Sequence, residues 1–226
     1  MNIKMPVGIS DFKTARERYY LVDKTPFIRE LIENHKAVNL FTRPRRFGKT
    51  LTMSMLDYFF SIDKKEEGAR LFTGLTIEKA GPLYMKHQGT YPVIFLTLKD
   101  FSDSSWKGMY DSIGIVLQDL YGHFTYLLDS PNLLPEEKAE FQRIFSRQAT
   151  LADYQMSLKR LSYFLYKHYG VQAIILIDEY DGPLQNAYTE GFYDDAILFW
   201  RGWFNAALKD NRALQFAVLT GVLRIA

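Results

Sequence analysis

The segment that decides the fold reads Arg43-Pro44-Arg45-Arg46-Phe47-Gly48-Lys49-Thr50. It follows an apolar run at 37–41 that is typical of a strand, and it precedes a helical apolar pattern. Its second half matches the Gly-Lys-Ser/Thr rule, in which backbone N–H groups and the lysine hold phosphate and the hydroxyl reaches Mg²⁺. Its first half does not match, because Arg43 stands where the rule has glycine. The order strand, loop, helix predicts a phosphate site that other motifs must support.

Composition narrows the class of protein. The 226 residues allow one large domain, and a net charge of +2 does not imply a surface that binds bulk polyanions. The chain has no cysteine, which excludes disulfides and thiolate zinc sites. No apolar stretch approaches the roughly 20 residues of a membrane span, and the N-terminus lacks a signal pattern. We therefore expect a cytoplasmic protein without membrane association.

Apolar runs alternate with helical patterns along the chain. Strands are predicted over 38–42, 93–98, 173–177 and 214–220. Helices are predicted over 26–34, 49–61, 104–129, 135–145, 151–169 and 192–208. Residues 6–12 read as a loop-like lead, and three glycines make 74–89 loop-rich. The alternation predicts an α/β fold with a parallel sheet, in one domain over 1–226 with a helical insertion at about 101–169.

Two carboxylates follow the third predicted strand, as Asp178 and Glu179. Because the carboxyl ends of parallel strands meet at one edge of a sheet, we expect these residues beside the 43–50 segment. Thr50 and Asp178 then offer the hard oxygen ligands that Mg²⁺ prefers. Lys49 is expected to hold the phosphates, and Glu179 to orient or deprotonate an attacking water.

Two charged residues before the 43–50 segment and two within it each have more than one interpretation. Asp23 and Lys24 precede the helix that begins at 25–26, and they are either a solvated pair or a contact on the nucleotide side. Arg45 and Arg46 are either exposed or contact a phosphate or a partner. The sequence leaves both alternatives open.

The far ends of the third and fourth strands raise similar questions. Thr220 ends the fourth strand, at a position where P-loop ATPases with a strand between the loop strand and the Asp-Glu strand often sense the γ-phosphate. Asp181 either assists a metal or caps the turn at 182–183. Arg224 is either a surface residue or an arginine finger that acts on a neighbour's nucleotide.

Several blocks of the chain resemble the AAA-ATPase-like domain family, whose members are mostly bacterial. The blocks are 7–9, 20–25, 43–51, 91–94, 176–181 and 219–222. That family's loop carries Arg-Pro-Arg-Arg where glycine might be expected, so the resemblance implies that Arg43 is a family feature and not a mismatch. It implies a P-loop NTPase of the ASCE/AAA type, with a parallel sheet flanked by helices, and ATP with Mg²⁺ as ligands. The residues expected to contact the nucleotide are Arg43, Pro44, Arg45, Arg46, Phe47, Gly48, Lys49, Thr50, Leu51 and Thr220.

The resemblance also sets expectations about the rest of the protein. Family members usually carry a restriction-endonuclease-like nuclease domain after this one. In ASCE ATPases the loop strand lies between the fourth strand and a fifth. We therefore expect a truncated domain whose sheet is incomplete at the C-terminus and leaves strand 38–42 at an exposed edge.

Three functions are compatible with the sequence. The first is an ATPase that hydrolyses ATP to ADP and phosphate. The second is a nucleotide-gated switch or adaptor that regulates a nuclease or another partner with little turnover, and the third is an inactive truncated remnant. Nucleic-acid binding and oligomerisation are left open by the sequence.

Overall fold

The structure is a computed structural model that describes residue 6 and residues 8–224. Val7, which belongs to the lead and to the first family block, lies outside this description, as do residues 1–5 and 225–226. The centre of the fold is a sheet whose strands are rich in Val, Ile, Leu and Phe, most of which favour extended backbone. The strands are β1 (Val38–Thr42), β2 (Val93–Thr97), β3 (Ala173–Asp178) and β4 (Leu214–Gly221).

The strand order is β1-β4-β3-β2, and every neighbouring pair is parallel. The predicted α/β class and parallel sheet are confirmed, and β4 lies between β1 and β3 as expected. The register aligns the carboxyl ends of the strands, since Thr97 pairs with Asp178 and Phe41 pairs with Thr220. The residues that follow the strands consequently meet at one edge of the sheet.

β1 lies at the edge of this sheet, as the sequence analysis expected. Within the described residues it pairs with β4 alone. Val38 and Leu40 are 38% and 37% exposed, which is high for the apolar residues of a strand. The outer N–H and C=O groups of β1 therefore face away from the sheet, an arrangement that favours pairing with another strand.

Helices cover both faces of the sheet. On one face lie α1 (Phe12–Arg18), α2 (Pro26–Asn34), α3 (Lys49–Phe60), α4 (Lys65–Leu71), α5 (Thr76–Lys79) and α6 (Pro82–Met85). On the other lie α7 (Trp106–Gly122), α8 (Pro135–Phe145), α9 (Leu151–Tyr169), α10 (Gly182–Glu190) and α11 (Tyr193–Leu208). Short 3₁₀ turns occupy Ile62–Lys64 and Thr125–Asp129.

β3 shows how the two layers orient the site. Ile174 and Leu176 pack into the core beneath α1–α6, whereas Ile175 and Ile177 pack into the core beneath α7–α11. Burial on both faces explains the continuous apolar run of this strand. Because side chains alternate along a strand, Asp178 points to the same face as Ile174 and Leu176, which is the α3 face.

The sequence analysis did not predict α1, which residues 12–18 form directly after the loop-like lead. The Asp11 carboxylate caps this helix by accepting from Thr14 N at 2.7 Å, and Phe12 is buried against the α3 face. Only Phe12 and Ala15 of α1 are buried, so the helix is too short and too polar to give an apolar period.

Other differences are smaller. The predicted helix 104–129 ends at Gly122 and continues as a 3₁₀ turn, and the loop-rich segment 74–89 contains α5 and α6. Residues 101–169 contain α7, α8 and α9, and their description as an insertion stays a prediction. Among the described residues, every helix is too short or too polar to span a lipid bilayer.

The close packing of α10 on the sheet at Gly182 can be tested by mutation. A Cβ at this position would lie 2.7 Å from the carbonyl oxygen of Leu98, just after β2. Because that atom is backbone, Gly182→Ala must shift the start of α10, and we expect it to lower the free energy of unfolding by about 1–3 kcal/mol. Urea unfolding followed by circular dichroism measures this change.

The matched control is Gly122→Ala at the end of α7. A Cβ there would meet Phe145 Cε2 at 3.6 Å, an ordinary contact. Alanine also favours helix, so we expect this variant to be as stable as the wild type or more so. Equal stability of the Gly182 and Gly122 variants would contradict the close packing of α10 on β2.

Candidate functional site

The 43–50 segment forms a tight loop between β1 and α3. Its first residue is tied to the neighbouring strand, because Arg43 N donates to Gly221 O at 3.1 Å. Two residues adopt left-handed backbone, Arg46 with φ of 70° and Gly48 with φ of 75°, and α3 begins at Lys49. The first N–H groups of α3 have no partner within the helix, so the loop presents a helix N-terminus to an anion.

The Lys49 side chain folds back onto this loop. Its ammonium donates to the carbonyl oxygens of Arg43 at 3.0 Å and Pro44 at 3.2 Å, and the residue is only 9% exposed. An ammonium carries three N–H donors, so these two bonds leave one for a ligand. The predicted lysine is therefore held at the centre of the loop.

The predicted loop and the predicted carboxylate meet at Asp178. The Thr50 hydroxyl of α3 donates to Asp178 Oδ2 at 2.6 Å, and the Thr220 hydroxyl of β4 donates to Asp178 Oδ1. Asp178 is completely buried. Three elements that are far apart in the chain thus converge on one carboxylate.

The donor set around Asp178 fits Mg²⁺. It offers one carboxylate and the hydroxyls of Thr50 and Thr220, all hard oxygens. Mg²⁺ usually keeps several waters and takes few protein ligands in addition to substrate phosphates. Among the described residues, no group of three or more His, Cys, Asp or Glu side chains gathers as a metal cluster. One carboxylate and two hydroxyls would suit a cation that keeps most of its water ligands.

The chain turns sharply after Asp178. Glu179 adopts left-handed backbone with φ of 52°, and Tyr180 N donates to Thr220 O at 2.9 Å. Left-handed backbone is costly for a residue with a Cβ, and such residues cluster at functional sites. The turn places the Glu179 side chain in the wall of the cleft in front of the 43–50 loop.

Asp181 has a structural role. Its Oδ2 atom accepts from Val222 N at 2.9 Å and Leu223 N at 2.7 Å, and the residue is 1% exposed. It stands at the N-cap position of α10, but its carboxylate makes no capping bond to a backbone N–H of that helix and accepts there only from the Gln185 side chain. The capping alternative is therefore corrected, because the carboxylate holds the exit of β4 instead of the turn at 182–183. A role at a metal stays untested.

A large cleft of about 1080 Å³ opens in front of the loop. One wall is the loop with the start of α3, and the other is formed by the segments 8–12 and 20–24. Its described lining contains four basic side chains and one acidic side chain, Glu179. The basic ones are Lys24, Arg45, Arg46 and Lys49. This excess of positive charge favours an anionic ligand.

Most of the predicted contact residues line this cleft, namely Arg45, Arg46, Phe47, Gly48, Lys49, Thr50 and Leu51. Arg43 and Pro44 are exposed and do not line the cleft, and their carbonyl groups accept from Lys49. Asp178 and Thr220 are buried and do not line the cleft. Arg224 is exposed and does not line it either, so its role as an arginine finger stays a prediction.

A smaller cleft of about 270 Å³ adjoins the large one. It lies between the end of β2 and α10, and Lys99, Gln185 and Asn186 are among its lining residues. Arg45 and Glu179 line both clefts. Glu179 is therefore reached from two sides, which the sequence did not indicate.

Asp23 is an anchor of the opposite wall. Its Oδ1 accepts from the N–H and hydroxyl of Thr25, at 2.9 and 2.6 Å, and its Oδ2 accepts from those of Thr76, at 2.8 and 2.7 Å. Burial raises the pKa of this carboxyl, but the hydrogen bonds from Thr25 and Thr76 outweigh it and lower the pKa from 3.8 to about 2. The solvated-pair interpretation is wrong for Asp23.

The wall formed by segments 8–12 and 20–24, called the N-terminal wall below, is the part of the site that sequence reasoning missed. Gly8, Ile9, Tyr20 and Val22 line the large cleft, and the sequence analysis assigned no role in the site to any of them. The resemblance blocks 7–9 and 20–25 marked the same two segments, but no chemistry was attached to them. Lys24, whose role the sequence left open, belongs to this wall, and its side chain reaches the loop.

Comparisons with known proteins give one family and one relative. A family model described as "Predicted AAA-ATPase" matches residues 6–226. A protein from Azotobacter chroococcum mcd 1, described as "Uncharacterized protein in vnfD 5'region", is 29% identical over 231 residues. The match covers 97% of this chain but only 37% of that relative's length. No solved structure matches the chain.

The hydrogen bonds that Asp23 accepts predict that the stability of the fold depends on pH. A carboxyl whose pKa is lowered by folding stabilises the fold above its unfolded pKa, and this stability is lost as the pH falls through the folded value. We expect Asp23→Asn to lower the melting temperature by about 3 °C at neutral pH. The difference from wild type should shrink as the pH falls from 3.8 toward about 2.

Melting temperatures of both proteins, measured by fluorescence across this pH range, test the expectation. Asp119→Asn is the control, because Asp119 lies exposed on α7. Its difference from wild type should stay small at every pH. An Asp23→Asn difference that grows as the pH falls would show that the carboxylate does not stabilise this wall.

Proposed function

The chain belongs to the AAA-ATPase-like family, and from this premise we propose that it binds ATP with Mg²⁺ and hydrolyses ATP to ADP and phosphate. The observation that carries the proposal is the 2.6 Å hydrogen bond from Thr50 to Asp178, which joins the loop helix to the acidic end of β3. The strand order, with β4 between β1 and β3, supports the P-loop NTPase class of the ASCE/AAA type.

We propose that the phosphates bind at the N-terminus of α3. Backbone N–H groups of the loop and the Lys49 ammonium neutralise an anion there. Arg45 and Arg46 line the same cleft and add positive charge. The N-terminal wall offers Ile9, Tyr20 and the exposed Val22, which suit the flat apolar faces of a base.

The metal would be held by Thr50 directly and by Asp178 directly or through water. Mg²⁺ supplies neutralisation of the charge on the β- and γ-phosphate oxygens. The Thr220 hydroxyl fixes one oxygen of Asp178, so the orientation of the carboxylate is set before any ligand binds. Preorganised groups of this kind cost little reorganisation during a reaction.

Glu179 is proposed as the group that orients or deprotonates the attacking water. It follows Asp178 directly and borders both clefts, including the one that faces the loop. A general base must lie within hydrogen-bond reach of the proton that it accepts. Thr220 is proposed to sense the γ-phosphate through its bond to Asp178.

A switch that binds ATP with little turnover would use the same residues. The chain spans 37% of the length of its curated relative, and what the whole protein does is a separate proposal. We propose, from the family resemblance, a nuclease domain or another protein as the partner of this ATP site. Hydrolysis and switching are distinguished by turnover alone.

The first prediction from the proposed function concerns the turnover of ATP. We expect Glu179→Gln to lower the steady-state rate of phosphate release by about 100-fold or more, because the group that activates water is lost. ATP affinity should remain close to that of wild type. Lys49→Ala should weaken ATP binding itself, since it removes the central ammonium. Calorimetry measures the affinities, and a phosphate-release assay measures the rates.

Glu30→Gln is the control for the loss of a carboxylate, because Glu30 lies exposed on α2 and outside both clefts. It should release phosphate at the wild-type rate. If wild type and Glu179→Gln bind ATP and release phosphate equally, the switch replaces the ATPase. If wild type does not bind ATP, both functions fail.

The second prediction concerns the metal. We expect Asp178→Asn to raise the Mg²⁺ concentration needed for half-maximal ATP binding by at least about tenfold, because a ligand charge is lost. Titration of Mg²⁺ at fixed nucleotide measures this shift. Thr50→Ser keeps the hydroxyl and should shift it little. An unchanged Mg²⁺ requirement in Asp178→Asn would remove Asp178 from the metal site.

A further inference from the structure

Lys24 stands next to a rigid anchor. The preceding residue, Asp23, binds Thr25 and Thr76 with both carboxylate oxygens. Thr25 is completely buried, and its hydroxyl accepts from Ile77 N at 3.1 Å. The backbone on both sides of Lys24 is therefore fixed to α2 and α5. A long, flexible side chain projects from a fixed point.

The Lys24 ammonium reaches the 43–50 loop. Its Nζ atom donates to the carbonyl oxygen of Phe47 at 3.4 Å, a long hydrogen bond. A Cβ added to Gly48 would lie only 3.1 Å from the same nitrogen. Lys24 lines the large cleft together with Lys49. Two ammonium groups from separate elements thus face the same cleft, at the residues where α3 begins.

The charge of Lys24 is poorly compensated. Its one described hydrogen bond goes to a neutral carbonyl, and no ion pair joins it to a carboxylate in the described part of the chain. An ammonium has three donors, and charge-assisted bonds to phosphate are stronger than bonds to neutral carbonyls. An anion at the N-terminus of α3 would therefore be a better partner than Phe47.

We propose that Lys24 binds the phosphates of the nucleotide from outside the loop and α3. This inference rests on the proposed function and adds a binding residue to it. When ATP binds, the ammonium exchanges the Phe47 carbonyl for a phosphate oxygen. Because Asp23 fixes the adjacent backbone, this bond joins the nucleotide to the wall at residues 20–25 without moving that wall.

An alternative role would be purely structural, with Lys24 serving only to hold the loop through Phe47. The two roles differ in what they affect. A loop brace stabilises the ligand-free fold and acts on every ligand equally. A phosphate contact leaves the ligand-free fold unchanged and acts on ATP and ADP but not on adenosine, which has no phosphate.

The test compares Lys24→Met with Lys24→Arg. The first keeps the apolar stem and removes the charge, whereas the second keeps the charge. We expect Lys24→Met to raise the dissociation constants of ATP and ADP roughly tenfold, and Lys24→Arg to restore most of the affinity. The inhibition constant of adenosine, measured by competition with a fluorescent nucleotide and corrected for the affinity of that nucleotide, should be the same in all variants. The melting temperature without ligand should be unchanged.

Lys36→Met is the matched control, since Lys36 is exposed and lies outside both clefts. It should bind ATP as wild type does. If Lys24→Met binds ATP within about twofold of wild type while Lys49→Ala binds it weakly, this inference alone is overturned. If wild type binds no ATP, the proposed function is overturned and the inference falls with it.

Discussion

The architecture of the site depends on one buried carboxylate. Asp178 is completely buried, and burial of an unpaired charge would be costly. The hydroxyls of Thr50 and Thr220 reduce this cost by donating to its two oxygens. Each donor belongs to a different element, so satisfying Asp178 also fixes α3 and β4 relative to β3. Packing places these elements close together, and this cluster sets their alignment at the functional edge.

The strand order makes that cluster possible. With β4 between β1 and β3, Thr220 lies beside Asp178, and the loop after β1 is tied to Gly221 at the end of β4. A sheet in which β1 and β3 were neighbours would have no position for Thr220. The N-terminal wall then completes the cleft by contacts that run to α5 through Asp23.

Much of this could be predicted from the sequence, because the strands and the long helices have strong apolar patterns. The meeting of Thr50 with Asp178 followed from the rule that parallel strands end at one edge. The bond from Asp23 to Thr76 and the bonds from Asp181 to residues 222–223 had no such signal. They join a carboxylate to backbone or hydroxyl groups 41–53 positions away in the chain, and no periodic pattern marks such pairs. α1 was not predicted for a related reason, since it shows no apolar period.

The exit of β4 has a mechanical consequence. Asp181 holds the N–H groups of Val222 and Leu223, and the Tyr180 hydroxyl donates to the Leu223 carbonyl at 2.8 Å. A side chain at Gly221 would collide with both Asp181 and Tyr180. These hydrogen bonds thus couple the direction in which the backbone leaves β4 to the turn that carries Glu179. Any rotation of that turn would therefore change the direction in which the backbone leaves β4 at residues 222–223.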